Sequence, residues 1–281
     1  MYKLGIIGYP LGHSISAVIQ KAGLNSIGED VQYDIMETHP EDLVDRIKYI
    51  KTHDYQGFNV TIPLKVPMSM FLTDIDDYAN IAGCVNTIKI DKNKELIGYN
   101  TDIYGFKKAI PNDINLTGKT AGILGTGGAA RAAVVGLAEK GIKNIDFYTR
   151  NIVNSHQVVN YMRAKFPNIE FNVYQIQNIR SLQDTSILVN ATPIGMKGYI
   201  AGEMALEYRD FDTLKPDAIV YDIIYTPTKT VLLREAEKRG FRTISGLDML
   251  IYQAEKAIEI WTGKTPDTKL MKIAALEELQ G

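Results

Sequence analysis

An α/β fold is what this sequence predicts, and two patterns predict it. Short apolar runs of strand type alternate with helical segments through both halves of the 281 residues. The stretch 119–133, KTAGILGTGGAARAA, reads strand, tight turn, helix. Gly125, Gly127 and Ala130 in it fit the G-x-G-x-x-G/A spacing of a dinucleotide-binding turn. Gly125 lets the chain reverse sharply, and Gly127 lets backbone approach a pyrophosphate with no Cβ in the way. Ala130 lets the helix pack close to the strand. The positive end of the new helix favours phosphate. The turn thus places a Rossmann-like half after a first half that is also mainly parallel.

The elements follow in order. A strand is expected over 3–8, then a Gly/Pro loop, then a helix from Ser16 toward residue 27 that the Ser16 hydroxyl can cap. Strand 31–36, helix 41–50 and strand 57–61 come next, followed by short helices over 65–71 and 75–81 and strands over 85–90 and 96–98. The chain leaves the first sheet near 102–111. The second half predicts strand 121–124, helix 129–140, strand 144–148, helix 154–166, strands 171–174, 186–190 and 218–222, and helix 230–239. Helices over 247–261 and 267–279 close the chain.

Composition excludes several classes. A hydrophobic content of 45% with 23% charged residues describes a water-soluble globular chain. A formal net charge of −2, with no basic stripe, recruits no nucleic acid. The lone Cys84 rules out an internal disulfide, and with four histidines no zinc cluster is expected, so no metal is assigned. No apolar run is long enough for a membrane span, and the chain enters a strand at once without a leader, so a cytoplasmic location is expected. The partner expected is a small-molecule substrate, with neither nucleic acid nor membrane, and the one assembly allowed for is a homodimer.

Polar residues gather where strands of the first half end: Ser14 and Ser16 after the first, Asn59, Thr61 and Lys65 after the third, then Asn86, Thr101 and Asp102. Ligands of open α/β sheets bind beyond the carboxyl ends of strands. Singly, Ser16 reads as a cap, Thr61 as a strand residue and Asn86 as a turn former; jointly they suit a small, anionic, polyhydroxylated ligand. Lys65 sits between two prolines among apolar neighbours. Partial burial beside Asp102 makes the two an acid/base couple for interconverting an alcohol and a ketone.

The second strand of the Rossmann-like half bears on the cofactor. Asp146 lies mid-strand, too early to reach a ribose 2′-hydroxyl. The strand end carries Thr149, Arg150 and Asn151, and a guanidinium beside hydroxyl and amide suits a 2′-phosphate, favouring NADP over NAD. His13 reads as loop structure beside the serines, and His39, His53 and His156 lie in polar surroundings without partners.

With these motifs in hand, the chain resembles the shikimate dehydrogenase family along nearly its whole length. The resemblance runs in order through GYPLGHSIS, GFNVTIPLK, GCVNTI, GYNTDIYGF, LGTGGAARA, NATPIGM, YDIIYTPTKTVLL and GLDMLIYQAEKAIEIWTG. It implies a two-domain enzyme that reduces 3-dehydroshikimate to shikimate with NADPH in aromatic amino-acid biosynthesis. Lys65 and Asp102 match the catalytic pair. Ser14 and Ser16 match the residues that bind the substrate carboxylate. Asn59, Thr61, Asn86, Thr101 and Gln253 match positions around its hydroxyls, and Tyr225 a further substrate contact. Gly125, Thr126, Gly127, Gly128, Ala129, Arg150, Thr192, Ile223 and Gly246 match cofactor contacts. The resemblance also makes the first domain discontinuous, 1–102 with 247–281, around an NADP-binding domain over 103–246. Quinate as a second substrate, NAD as cofactor and a non-catalytic relative are the competing readings, and an intact Lys65 and Asp102 speak against the last. The chain departs from the pattern at Ala17, where the family often has proline, and at Cys84, where alanine is common. Asn154 stands where a second basic residue is often found, and the loop 197–204 lacks the usual proline.

Overall fold

The computed structural model describes residues 1–12, 14–179, 182–200 and 202–280. His13, and Ala201 of the loop 197–204, lie outside them. The chain forms two compact units, Met1–Gly105 with Ile251–Gly281, and Phe106–Leu250.

The first unit runs β1 (Tyr2–Gly8), α1 (Ser16–Ser26), β2 (Val31–Glu37), α2 (Leu43–Thr52), β3 (Gly57–Val60), β4 (Asp74–Ile75), α3 (Asp77–Ala82), β5 (Thr87–Ile90) and β6 (Leu96–Tyr99). Helix α4 (Thr101–Ala109) leads into the second unit. There follow β7 (Thr120–Leu124), α5 (Gly128–Glu139), β8 (Asn144–Thr149), α6 (Ile152–Lys165), β9 (Glu170–Gln175), β10 (Thr185–Asn190), α7 (Tyr208–Phe211), β11 (Ile219–Asp222), α8 (Val231–Lys238) and β12 (Arg242–Ser245). Helix α9 (Gly246–Thr262) returns the chain to the first unit and α10 (Thr268–Gln280) completes it.

The first sheet has the order β2-β1-β3-β5-β6-β4. Strand β1 is parallel to β2 and β3, and β4 is parallel to β6. Strand β5 is antiparallel to both neighbours. Loop length dictates that hairpin: five residues join β5 to β6, and a parallel crossover needs about a dozen or more. Asp91 builds its turn, its Oδ1 accepting the N–H groups of Asn93 and Glu95 at 2.8 Å each.

The second sheet has the order β12-β11-β10-β7-β8-β9, and every pairing is parallel. Both faces are covered at its centre, so β7, β10 and β11 are buried nearly throughout, while the outer β9 and β12 are partly exposed. Ile123, Phe147, Val189 and Tyr221 bury against Ala130, Val134 and Val159 on one side. Leu124, Tyr148, Leu188 and Val220 pack with Phe211, Leu232 and Leu233 on the other. The order reverses between β7 and β10, which is where such sheets open a crevice beyond their carboxyl ends. In the first unit Phe58, Leu64, Met68, Ile88 and Leu96 form the core.

Some local expectations are corrected. Ser16 is the first residue of α1 and not its cap: Ile15 holds the N-cap position, and no side chain caps the helix. The helix expected over 75–81 begins at Asp77, because the Asp76 carboxylate caps it by accepting the Ala79 N–H at 2.8 Å, and Ile75 pairs in β4. The segment expected as a helix over 65–71 is a 3₁₀ turn, Pro67–Phe71, with proline at its start. Helices α4 and α7 and strands β4 and β12 were not expected. Among the described residues, no helix is long and apolar enough to cross a membrane.

Candidate active site

The first unit brings Lys65 and Asp102 into an ion pair. Asp102 lies in the first turn of α4, and Lys65 in the turn after β3, where its carbonyl accepts the Val85 N–H at 3.0 Å. The Lys65 Nζ donates to Asp102 Oδ2, with 16% and 9% of the two side chains exposed. Burying two charges costs several kcal/mol per ion, so such a pair persists only where further hydrogen bonds hold it. Asn86 supplies one: its Nδ2 donates to Asp102 Oδ1 and to Thr101 Oγ1, both at 2.9 Å. Asn86 is itself oriented by the Thr101 N–H, which donates to its Oδ1 at 2.7 Å. The Oε1 of Gln253, from α9, accepts from both Asn86 and Thr101 at 3.4 Å. Lys65 and Asn86 thus reach Asp102 directly, and Thr101 and Gln253 hold Asn86.

Asn59 joins this cluster from behind. It is buried, and its four hydrogen-bond valences are filled inside the unit. Its Nδ2 donates to Thr87 Oγ1 at 3.1 Å and to the Asn86 carbonyl at 3.3 Å. Its Oδ1 accepts Tyr33 OH at 2.7 Å and Gln20 Nε2 at 3.2 Å. Ser14, Ser16 and Thr61 are half-buried. The Ser16 N–H donates to Ser14 Oγ at 3.4 Å, and the Thr61 N–H to the Ile7 carbonyl at 2.9 Å. Tyr225, half-buried after β11, belongs to the second unit.

In the second unit the glycine turn sits at the carboxyl end of β7. Gly125 has φ +92, a conformation L side chains rarely adopt, and a Cβ there would also meet Thr192 Cγ2 at 3.0 Å. Beside Gly127, the residue preceding α5, a Cβ would meet nothing within 4 Å. The space over the start of α5 is thus open to a pyrophosphate, and the turn fits the dinucleotide that its spacing implies. At Gly246 a Cβ would lie 2.0 Å from the Ile223 carbonyl oxygen, which keeps these two expected cofactor residues in contact.

Strand β8 ends in a hydroxyl cluster that sequence reading missed. Ser155, buried in α6, donates to Thr149 Oγ1 at 3.0 Å and lies 3.2 Å from Thr126 Oγ1, tying the glycine turn to the strand end. Asn151 caps α6 by accepting the Asn154 N–H at 3.1 Å. Arg150 is exposed, and no described residue holds its guanidinium. Asp146 lies mid-sheet, accepting from Asn172 at 3.0 Å, with burial pushing its carboxyl above the ordinary value.

A second pair was also missed, although its signal was present: an asparagine and an aspartate end adjacent strands in register. Asn190 Nδ2 donates to Asp222 Oδ1 at 3.0 Å, while Asn190 Oδ1 accepts the Thr192 hydroxyl at 2.7 Å. Asp222 also accepts the Ile224 N–H at 3.1 Å and the Thr230 hydroxyl at 2.6 Å. The loops carrying Thr192 and Ile223 are both anchored here. Burial pushes the Asp222 carboxyl up to about 6, against an ordinary 3.8, with the three hydrogen bonds opposing it. A raised folded-state value gives stability that is complete below about pH 4 and lost as pH rises through 6. Asp222→Asn does not titrate. The difference in thermal midpoint, wild type minus variant, should fall between pH 4 and 7, by an amount corresponding to on the order of 2 kcal/mol. A pH-independent difference would contradict it.

A glycine turn in an all-parallel sheet and a buried lysine–aspartate pair, carried on one chain, are two parts that a nucleotide-dependent oxidoreductase needs. Comparison with known proteins specifies the family. Residues 6–88 match the model of the shikimate dehydrogenase substrate binding domain, and residues 246–276 that of the shikimate 5′-dehydrogenase C-terminal domain. The shikimate dehydrogenase (NADP(+)) of Geobacter metallireducens is 37% identical, over 99% of this chain and 96% of its own length. A crystal structure of a shikimate dehydrogenase in complex with NADP+ superimposes with a TM-score of 0.89 at 36% identity, over 99% of this chain and 96% of that one. The ligand-free 5-ketofructose reductase of Gluconobacter sp. strain CHM43 superimposes with a TM-score of 0.86 at 31% identity, over 98% of each chain. The chain belongs to the shikimate dehydrogenase family.

Proposed function

We propose that this protein is a shikimate dehydrogenase, catalysing the reversible NADPH-dependent reduction of 3-dehydroshikimate to shikimate. The observation that carries the reading is the buried Lys65–Asp102 pair with Asn86 aimed at its free carboxylate oxygen. In this reading the first unit binds substrate and the second binds cofactor. Bound NADPH supplies the hydride, and bound NADP accepts it in the reverse direction. Lys65 gives a proton to the ketone oxygen during reduction and takes one from the hydroxyl during oxidation. Asp102 holds the lysine at that oxygen, and Asn86 holds Asp102. Ser14 and Ser16 take the substrate carboxylate, while Thr61, Thr101 and Gln253 surround its ring hydroxyls; Tyr225 is assigned a further substrate contact by the family resemblance.

Gly125 to Ala129 form the pyrophosphate turn, Arg150 takes the 2′-phosphate, and Thr192, Ile223 and Gly246 line the rest of the cofactor site. A cytoplasmic location accompanies this reading, since a single buried Cys84 leaves no disulfide that needs an oxidising compartment.

Because a 5-ketofructose reductase shares the fold, fold alone does not select the substrate. The test is initial rates of shikimate and quinate oxidation with NADP and with NAD. Shikimate with NADP should be the best pair, and faster turnover of quinate or preference for NAD would overturn the assignment. Ser14→Ala and Ser16→Ala should each raise the KM for shikimate about 5- to 10-fold with kcat nearly unchanged, since a carboxylate contact is made equally in ground and transition states. A collapse of kcat at constant KM would remove the serines from carboxylate binding.

A further inference from the structure

We propose that Asn59 is a positioning residue, not a substrate ligand: held by Tyr33 and Gln20, it fixes through Thr87 the direction in which Asn86 faces Asp102. This rests on the shikimate dehydrogenase reading and adds residues to its site. The chain of hydrogen bonds has one consistent polarity, which can be followed from the reacting end.

Asp102 Oδ1 only accepts, so the Asn86 group facing it at 2.9 Å is the amide NH₂. The carbonyl oxygen of Asn86 then faces the Thr101 N–H at 2.7 Å and Thr87 Oγ1 at 3.2 Å. Thr87 has one proton, for that oxygen or for Thr101 Oγ1 at 3.2 Å, and with it given to either has only acceptor capacity left for Asn59, whose Nδ2 lies 3.1 Å away. The same NH₂ reaches the Asn86 backbone carbonyl, also an acceptor, at 3.3 Å. That leaves Asn59 Oδ1 turned to the rear, where Tyr33 OH and Gln20 Nε2 both donate to it. Burial holds the Tyr33 phenol far above its ordinary value, so it remains a donor at any working pH.

The cost of this arrangement falls on Gln20. Its Oε1 is buried without a hydrogen-bond partner. Turning the amide over would set that oxygen against Asn59 Oδ1, so the orphan is accepted to keep the donor in place. With both protons and both lone-pair directions of Asn59 engaged, a hydroxyl of the substrate reaches this side chain only by breaking one of these bonds.

Tyr33→Phe keeps the ring and removes the donor. It should lower kcat about 5-fold, the worth of one hydrogen bond, with the KM for shikimate within about 2-fold of wild type. Asn59→Asp, which cannot donate to Thr87, should lower kcat further, again at nearly constant KM. The two losses should be less than additive when combined, since both act through one residue. Amide-proton exchange of the Asn59 and Asn86 side chains, followed by NMR, reads the network independently of the reaction, and Tyr33→Phe should speed exchange at both. A raised KM with unchanged kcat in Asn59→Asp would make Asn59 a substrate ligand and overturn the proposal. Additive losses, or faster exchange at Asn59 with none at Asn86, would overturn it equally. Wild-type protein that fails to oxidise shikimate while exchange at Asn86 still responds to Tyr33→Phe would strike the functional reading and leave the network standing.

Discussion

Lys65→Ala should lower turnover of shikimate by on the order of 100- to 10,000-fold, the range for loss of a positioned acid/base group. The KM for shikimate should move little, because the serines, Thr61 and Gln253 are unchanged. Removing the ammonium has a second consequence. Asp102 is then a buried carboxylate whose remaining partner is Asn86, and stripping the counter-ion from a buried pair is strongly destabilising. The alanine variant should therefore lose thermal stability as well as rate. Lys65→Met retains the apolar stem in its pocket and separates the two effects. Its thermal midpoint should recover part of the loss while its kcat stays as low as that of alanine. Initial rates and melting curves on the two variants provide the check. A kcat within a few-fold of wild type in Lys65→Met, measured on folded protein, would take Lys65 out of the chemistry.

What was legible in the sequence, and what was not, follows from the range of the interactions concerned. The glycine turn and the buried strands of the second sheet are signalled locally, by spacing and by apolar runs, whereas Lys65 and Asp102 stand 37 positions apart and were brought together by the rule that ligands bind beyond strand ends. The first sheet was expected as mainly parallel; the antiparallel pairing of β5 with β6 had a local signal in their five-residue connection that went unread. Helix α4 was hidden because GYNTD is rich in turn formers. What makes it a helix is tertiary, namely burial of Ile103 and Phe106 three residues apart on one face. Ser16 shows the limit of capping rules: it occupies the first helical position, where its hydroxyl is not needed as a cap. Asn59, Tyr33 and Gln20 come from β3, β2 and α1, and nothing in their spacing announces that they meet. Ser155 is similar, being one ordinary helix serine until the strand end folds beside it.

Cofactor choice is where local reading and structure bear on each other most closely, and Arg150→Ala tests it. Three residues at the end of β8 were expected to suit a 2′-phosphate. Thr149 is buried, its hydroxyl accepting from Ser155, and the side-chain Oδ1 of Asn151 is engaged in capping α6. The exposed guanidinium of Arg150 is the cation left to meet the phosphate, and Asp146 is too deep in the sheet to receive a ribose 2′-hydroxyl in its place. Removing Arg150 should weaken NADP binding about 10- to 150-fold, the worth of a charge-assisted hydrogen bond, and leave NAD almost unchanged. Solvent around an exposed group screens the interaction, which places the expected loss near about 10-fold and makes it shrink as salt is raised. Asn154 adds a converse arm. It follows the cap in the first turn of α6, where the family often carries a second base, so Asn154→Arg should tighten NADP without affecting NAD. Dissociation constants of both cofactors for wild type and the two variants, at low and high salt, decide the matter. Equal weakening of NADP and NAD in Arg150→Ala would mean that the residue shapes the loop, and no weakening of either would mean that the 2′-phosphate is held elsewhere.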